Sequence, residues 1–136
     1  ATGAAGGALY HDSGTITNLY ADFYSNSATS SQNNVDGGAV YNAGGKLIIR
    51  DSEFVGNSAS LGGAIFNTGS GYILIENSKF IDNEGTGHSG FMRNASGNAV
   101  VKNSYISDSG RSYTYQGQHT TYIDTNFYTA AVCSLK

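Results

Sequence analysis

The sequence predicts an all-β chain, a right-handed parallel β-helix (solenoid) of about five coils. Three observations predict it. One phrase occurs three times, as Gly6-Gly7-Ala8-Leu9-Tyr10, Gly37-Gly38-Ala39-Val40-Tyr41-Asn42 and Gly62-Gly63-Ala64-Ile65-Phe66-Asn67. A second phrase follows each of them, as Phe23-Tyr24-Ser25-Asn26, Phe54-Val55-Gly56-Asn57 and Phe80-Ile81-Asp82-Asn83. Self-similarity at this period marks stacked units, none of which buries its apolar face alone. Finally, the apolar runs are short and β-branched, and no stretch has helical spacing long enough for a helix.

Each repeat begins with the Gly-Gly-Ala strand. Its paired glycines permit a sharp corner, because glycine reaches backbone angles that a side chain forbids. Leu9, Val40, Ile65 and Met92 from this strand are expected to fill one interior column. Next comes a β-branched strand, Leu47-Ile48-Ile49-Arg50, Ile73-Leu74-Ile75-Glu76 or Ala99-Val100-Val101-Lys102. Alternation points Leu47, Ile49, Ile73 and Ile75 inward. The third strand carries the anchor, Phe23, Phe54, Phe80, Ile106 and Phe127, at spacings of 31, 26, 26 and 21 residues. Stacked anchors gain ring contacts of about 0.5–1.5 kcal/mol per pair beyond area burial. Parallel units joined in this way are expected to wind right-handed.

Polar positions repeat as well. Asn42, Asn67 and Asn94 form one column, and Asn26, Asn57 and Asn83 another. At bends, such amides bond one another and cap unpaired backbone, so they read as stacking ladders. Asp51, Asn77, Asn103 and Asp124 precede the anchors by three residues, with Tyr20 the exception, and Ser52, Ser78, Ser104 and Thr125 come next. Arg50, Glu76 and Lys102 alternate in charge on consecutive repeats, as do Glu53 and Lys79, which reads as register-setting pairs at an exposed surface.

The chain of 136 residues reads as one β-helix segment, 1–136, part of a longer repeat array, with an inserted loop at 27–36. Insertions in solenoids project from one face, which makes this loop the expected contact surface. Only 12% of residues are charged and the net charge is −3, so nothing points to nucleic acid. No apolar run is long enough for membrane insertion. Cys133 is the single cysteine, which excludes an intrachain disulfide and a cysteine metal site. Asn94-Ala95-Ser96 is a glycosylation sequon, informative in a eukaryotic source.

Gly-Gly-Ala-Ile followed by Phe-x-x-Asn resembles the repeat of the chlamydial polymorphic outer-membrane proteins, and more widely bacterial autotransporter passengers built as right-handed parallel β-helices. The resemblance covers roughly residues 6–109, clearest at 37–57 and 62–83. The fourth copy departs, reading Ser89-Gly90-Phe91-Met92-Arg93-Asn94, and beyond 110 only Asp124-Thr125-Asn126-Phe127 keeps the pattern. The resemblance implies an extracellular or cell-surface adhesin, stalk or filament unit. Its expected partners are copies of itself or a host or cell-surface ligand. It carries over no catalytic residues and no cofactor or metal.

The alternative reading is a polysaccharide-degrading β-helix enzyme of the pectin lyase-like kind. Inverting hydrolysis needs two carboxyls ~6.5–9.5 Å apart. Asp51 and Asp124 lie three coils apart, roughly 14 Å at the strand spacing, which is too far. Asp82 beside Glu84 reads as a solvated turn. Gly87-His88-Ser89 faintly resembles a polygalacturonase histidine turn, but the Asn-Thr-Asp segment expected with it is missing; His11 and His119 offer no better triad. The acidic residues are too scattered for a Ca²⁺ cluster. The Ser52, Ser78, Ser104 and Thr125 column is too narrow for an ice- or crystal-binding face. The sequence therefore reads as non-catalytic.

Overall fold

The computed structural model describes residues 6–28, 36–85, 90–108 and 120–129, without the side chains of 18, 108 and 127–129. Residues 29–35 of the inserted loop, His88, His119, Cys133 and the Phe127 side chain lie outside the described residues. The described chain is all-β and contains no helix.

The first repeat forms β1 (Leu9–His11), β2 (Thr15–Leu19) and β3 (Asp22–Tyr24). The second forms β4 (Val40–Asn42), β5 (Lys46–Arg50), β6 (Glu53–Val55) and β7 (Ser58–Ala59). The third forms β8 (Ile65–Asn67), β9 (Tyr72–Glu76), β10 (Lys79–Ile81) and β11 (Glu84–Gly85). The fourth has β12 (Met92–Asn94), β13 (Asn98–Lys102) and β14 (Tyr105–Asp108), and the fifth β15 (Thr120–Ile123) and β16 (Asn126–Thr129).

Every strand pairs in parallel with its equivalent in a neighbouring repeat. The sheets run β1-β4-β8-β12, β2-β5-β9-β13-β15, β3-β6-β10-β14-β16 and β7-β11. Equivalent residues pair directly, as in Val40 with Ile65, Ile49 with Ile75, and Phe54 with Phe80. One irregularity falls between Ile16 and Leu19, where β2 uses three steps against two in β5. This bulge explains why Tyr20 breaks the polar column at that turn: the first repeat takes its extra residue inside the strand.

The inward side chains of the three larger sheets form one core. Val40, Leu47, Ile49, Phe54, Ile65, Ile73, Ile75, Phe80, Met92 and Ile106 are fully buried. Phe23 is buried too, whereas Leu9 is partly buried and packs on the margin, because β1 is the outer strand of its sheet among the described residues. The Phe23, Phe54 and Phe80 rings stack with centroids 4.6 Å apart at each step. The stack then changes. Ile106 pairs with Phe80, and Phe91 meets Phe80 edge-on at 4.5 Å. Phe91 occupies the position held by Ala39 and Ala64 in earlier repeats, and the ring it adds is offset within the fourth repeat, where Ala99, Val101 and Ile106 pair with Ile73, Ile75 and Phe80.

The glycines divide two tasks. Gly6, Gly37 and Gly62 have φ of 76°, 68° and 65°, which turns the chain into the strand. Gly7, Gly38 and Gly63 follow with no room beside them. A Cβ at Gly38 would collide with the Gly63 carbonyl and one at Gly63 with the Glu84 carbonyl. Strand stacking therefore demands the second glycine and corner geometry the first.

Candidate functional site: the polar corner groove

Two amide ladders hold the bends. Asn42 Nδ2 donates to Asn67 Oδ1 at 2.8 Å, Asn67 Nδ2 to Asn94 Oδ1 at 2.9 Å, and Asn94 Nδ2 to Thr120 Oγ1 at 3.0 Å. Asn42 also donates to the Gly45 carbonyl and Asn67 to the Gly71 carbonyl, which closes each bend. His11 takes the asparagine position in the first repeat, with Nδ1 2.7 Å from Asn42 Oδ1. Because Asn42 Oδ1 only accepts, His11 Nδ1 carries the proton in this contact. The second ladder runs from Asn26 to Asn57 at 3.0 Å and from Asn57 to Asn83 at 2.9 Å. Asn57 and Asn83 also donate to the carbonyls of Phe23 and Phe54. Asn42, Asn57, Asn67, Asn83 and Asn94 are fully buried and Asn26 half-buried, so these columns face the protein's own backbone.

The serine column also turns inward. Ser52, Ser78 and Ser104 are buried, and each hydroxyl donates to the carbonyl two residues back at 2.8–2.9 Å. Ser78 and Ser104 further accept from the backbone N–H of Ser52 and Ser78. These hydroxyls are engaged in locking the turn.

Exposed chemistry is concentrated on either side of those serines. Asp51, Asn77, Asn103 and Asp124 all have φ between 47° and 51° and are all exposed. Asn and Asp tolerate this left-handed backbone better than other side-chain-bearing residues. Two residues on, Glu53, Lys79, Tyr105 and Asn126 begin β6, β10, β14 and β16 and stand in register. Two rails of side chains thus run across successive repeats with the buried serines as floor. Between them lies a shallow groove. Its wider part, about 390 Å³, reaches from Asn77 to Asn126, and a narrower part, about 230 Å³, continues to Asp51. Four rungs at the strand spacing make it roughly 14 Å long. Asp51 and Asp124 occupy its opposite ends.

Further ionisable groups stand beside the groove or away from it. Arg50 Nη2 approaches Glu76 Oε1 at 3.1 Å with both side chains partly exposed, a pair of small energetic weight. Exposed Tyr24 donates to Glu53 Oε1 at 2.7 Å, and that hydrogen bond leads in pushing its hydroxyl up to about 12. Burial raises the Asp36 carboxyl above its ordinary value, against an opposing pull from Arg93. Burial likewise raises Tyr41, assisted by Asp36 and Tyr10. Tyr41 lies inside an outer column of stacked rings, Tyr10, Tyr41 and Phe66, 5.2 Å apart. Their faces cover one another. Among the described residues, no three His, Cys, Asp or Glu side chains gather into a metal site.

Sequence reasoning found both amide ladders, the Asp51–Asp124 rail as a column, and Glu53 with Lys79 from the opposite rail, but not Tyr105 or Asn126. It missed the groove itself, because periodicity gives the order of side chains along a column but not the hollow between two columns. It also missed His11 as a ladder member and Phe91 as a core residue; the signal was present, since each falls at a repeat position otherwise held by Asn or Ala. Comparison with family models, with curated proteins and with solved structures found no significant match.

Proposed function

We propose that the parallel sheets wind into a right-handed β-helix and that the chain works as a non-catalytic rod, a structural or adhesive segment of a secreted or surface-displayed protein. One observation carries the reading. Equivalent residues of consecutive repeats pair laterally in all three larger sheets, around one shared core. Such stacking resists bending, since any bend must open several ladders together. The resemblance to polymorphic outer-membrane and autotransporter-passenger repeats supports an extracellular or cell-surface setting. Display on a rigid scaffold is also what an exposed groove and an inserted loop at 27–36 suit. Its partner is a surface ligand or a second copy of the chain.

The test is register and stability together. NMR contacts between the backbones of Phe54 and Phe80 and of Ile49 and Ile75 are expected in the purified chain, and limited proteolysis is expected to spare the region 37–108. Absence of those contacts, with cleavage within that region, rejects the reading. Incubation with polysaccharides is expected to release no new reducing ends or unsaturated products; release of either rejects the non-catalytic half.

A further inference from the structure

We infer that the corner groove between the rails Asp51–Asp124 and Glu53–Asn126 is a binding site for a linear, uncharged glycan. The inference rests on the rod reading, which lays successive repeats in line and so makes the groove straight. Its first support is composition. The left-handed turn at the other end of the anchor strand is made by Ser25, Gly56 and Asp82, so such turns in this chain do not require an amide or carboxylate. The groove-side turn nevertheless presents Asp, Asn, Asn and Asp, all exposed. Planar amides and carboxylates offer paired acceptors, or an acceptor beside donors, which match the vicinal hydroxyls of a pyranose. Tyr105, on the opposite rail and 38% exposed, adds a ring surface against which a sugar face can lie.

Backbone accounting argues against a peptide. An extended peptide gains affinity by pairing with free strand edges. At this corner the N–H groups of Asp51, Asn77 and Asn103 donate to Glu76, Lys102 and Ile123, and those of Lys79, Tyr105 and Asn126 to the three buried serines' carbonyls. An occupant therefore finds none of these six N–H groups free, which suits a molecule that hydrogen-bonds to side chains through hydroxyls. Charge sets the glycan class. The groove carries Asp51, Glu53 and Asp124 against Lys79, three carboxylates to one ammonium. A polyuronate is repelled by that balance and a neutral chain is not.

Calorimetric titration of the intact chain with two neutral hexasaccharides, β-1,4-linked glucose and β-1,4-linked N-acetylglucosamine, tests the site. Saturable binding of at least one is expected, with a hexagalacturonate binding at least tenfold more weakly. The double variant Asn77→Gly/Asn103→Gly removes two amides while keeping the left-handed turns, and is expected to weaken binding tenfold or more at an unchanged melting temperature. A second variant, Lys79→Ala/Tyr105→Ala, strips the opposite rail at exposed strand positions and is expected to weaken binding similarly. Absence of saturable binding by both neutral hexamers overturns the inference. So does binding that both folded variants retain, or tighter binding of the uronate. The backbone contacts between Phe54 and Phe80 on the same sample separate the two ideas: a stacked scaffold that binds no neutral glycan leaves the scaffold standing and removes only the ligand.

Discussion

Asn57 has no access to solvent and satisfies five hydrogen bonds at one bend. Its Oδ1 accepts from the backbone and side-chain amides of Asn26, its Nδ2 donates to Phe23 O and Asn83 Oδ1, and its own N–H donates to Asn83. Asn57→Ala strands several buried groups, each worth about 1–3 kcal/mol when left unpaired. A loss of about 3 kcal/mol or more is expected in urea unfolding, and a smaller one for half-buried Asn26→Ala. Gly63→Ala is expected to be comparably severe, about 3 kcal/mol, because the added methyl meets the rigid Glu84 and Gly90 carbonyls. Asp36 gives a pH signature. Burial lifts its folded value above the ordinary 3.8, so folding takes up a proton between the two values. Its stabilising effect is complete below 3.8 and disappears as pH rises through the folded value. Asp36→Asn lacks this dependence. Its melting temperature relative to wild type is therefore expected to be higher at about pH 6 than at about pH 3; an equal difference at both contradicts the assignment.

The core strands show how far patterning reads and where it stops. Val40, Ile65, Leu47, Ile73, Phe54 and Phe80 were legible because alternation and the repeat period agree at each of them. β7 and β11 were not legible. They are two residues long and contain Ser, Ala, Glu and Gly, so neither propensity nor alternation marks them, and only their lateral pairing makes them strands. The bulge in β2 did leave a trace, since Ile16 and Leu19 stand three residues apart where their partners Leu47 and Ile49 stand two, but one apolar pair without the Gly-Gly-Ala or Phe-x-x-Asn phrase does not identify a bulge. Phe91, in the turn into β12, is compensated by smaller residues of β13 and β14, Ala99, Val101 and Ile106, which a single-column reading separates. That compensation is testable. Phe91→Ala alone leaves a cavity and is expected to cost about 3–5 kcal/mol, and Ile106→Phe alone crowds the edge-on ring. Adding Ile106→Phe and Ala99→Ile to Phe91→Ala restores the Ala, Ile and Phe pattern of the third repeat and is expected to recover at least half of the single-variant losses. Simple additivity in denaturant unfolding argues against the compensation.

At the scale of the molecule, stability spreads over repeats that touch only their neighbours, and the site spreads with it: the groove is a property of three or four units and of no single one. Periodicity supplied its side chains; its floor and depth came from the inward turn of Ser52, Ser78 and Ser104. The side-chain-to-side-chain bonds of the two ladders share a feature with a wider consequence. From His11 to Thr120, and from Asn26 to Asn83, each donor lies in the earlier repeat and each acceptor in the later one. The columns are vectors, so a unit reversed end for end has no place in the series, while a unit copied in the same sense drops in with every donor matched. Duplicating residues 53–78 directly after Ser78 is expected to yield a folded protein longer by about 4.8 Å along the stack, with the melting temperature undiminished. Length in such a chain is free to drift by whole cassettes through tandem gene duplication, without any compensating mutation at the junction.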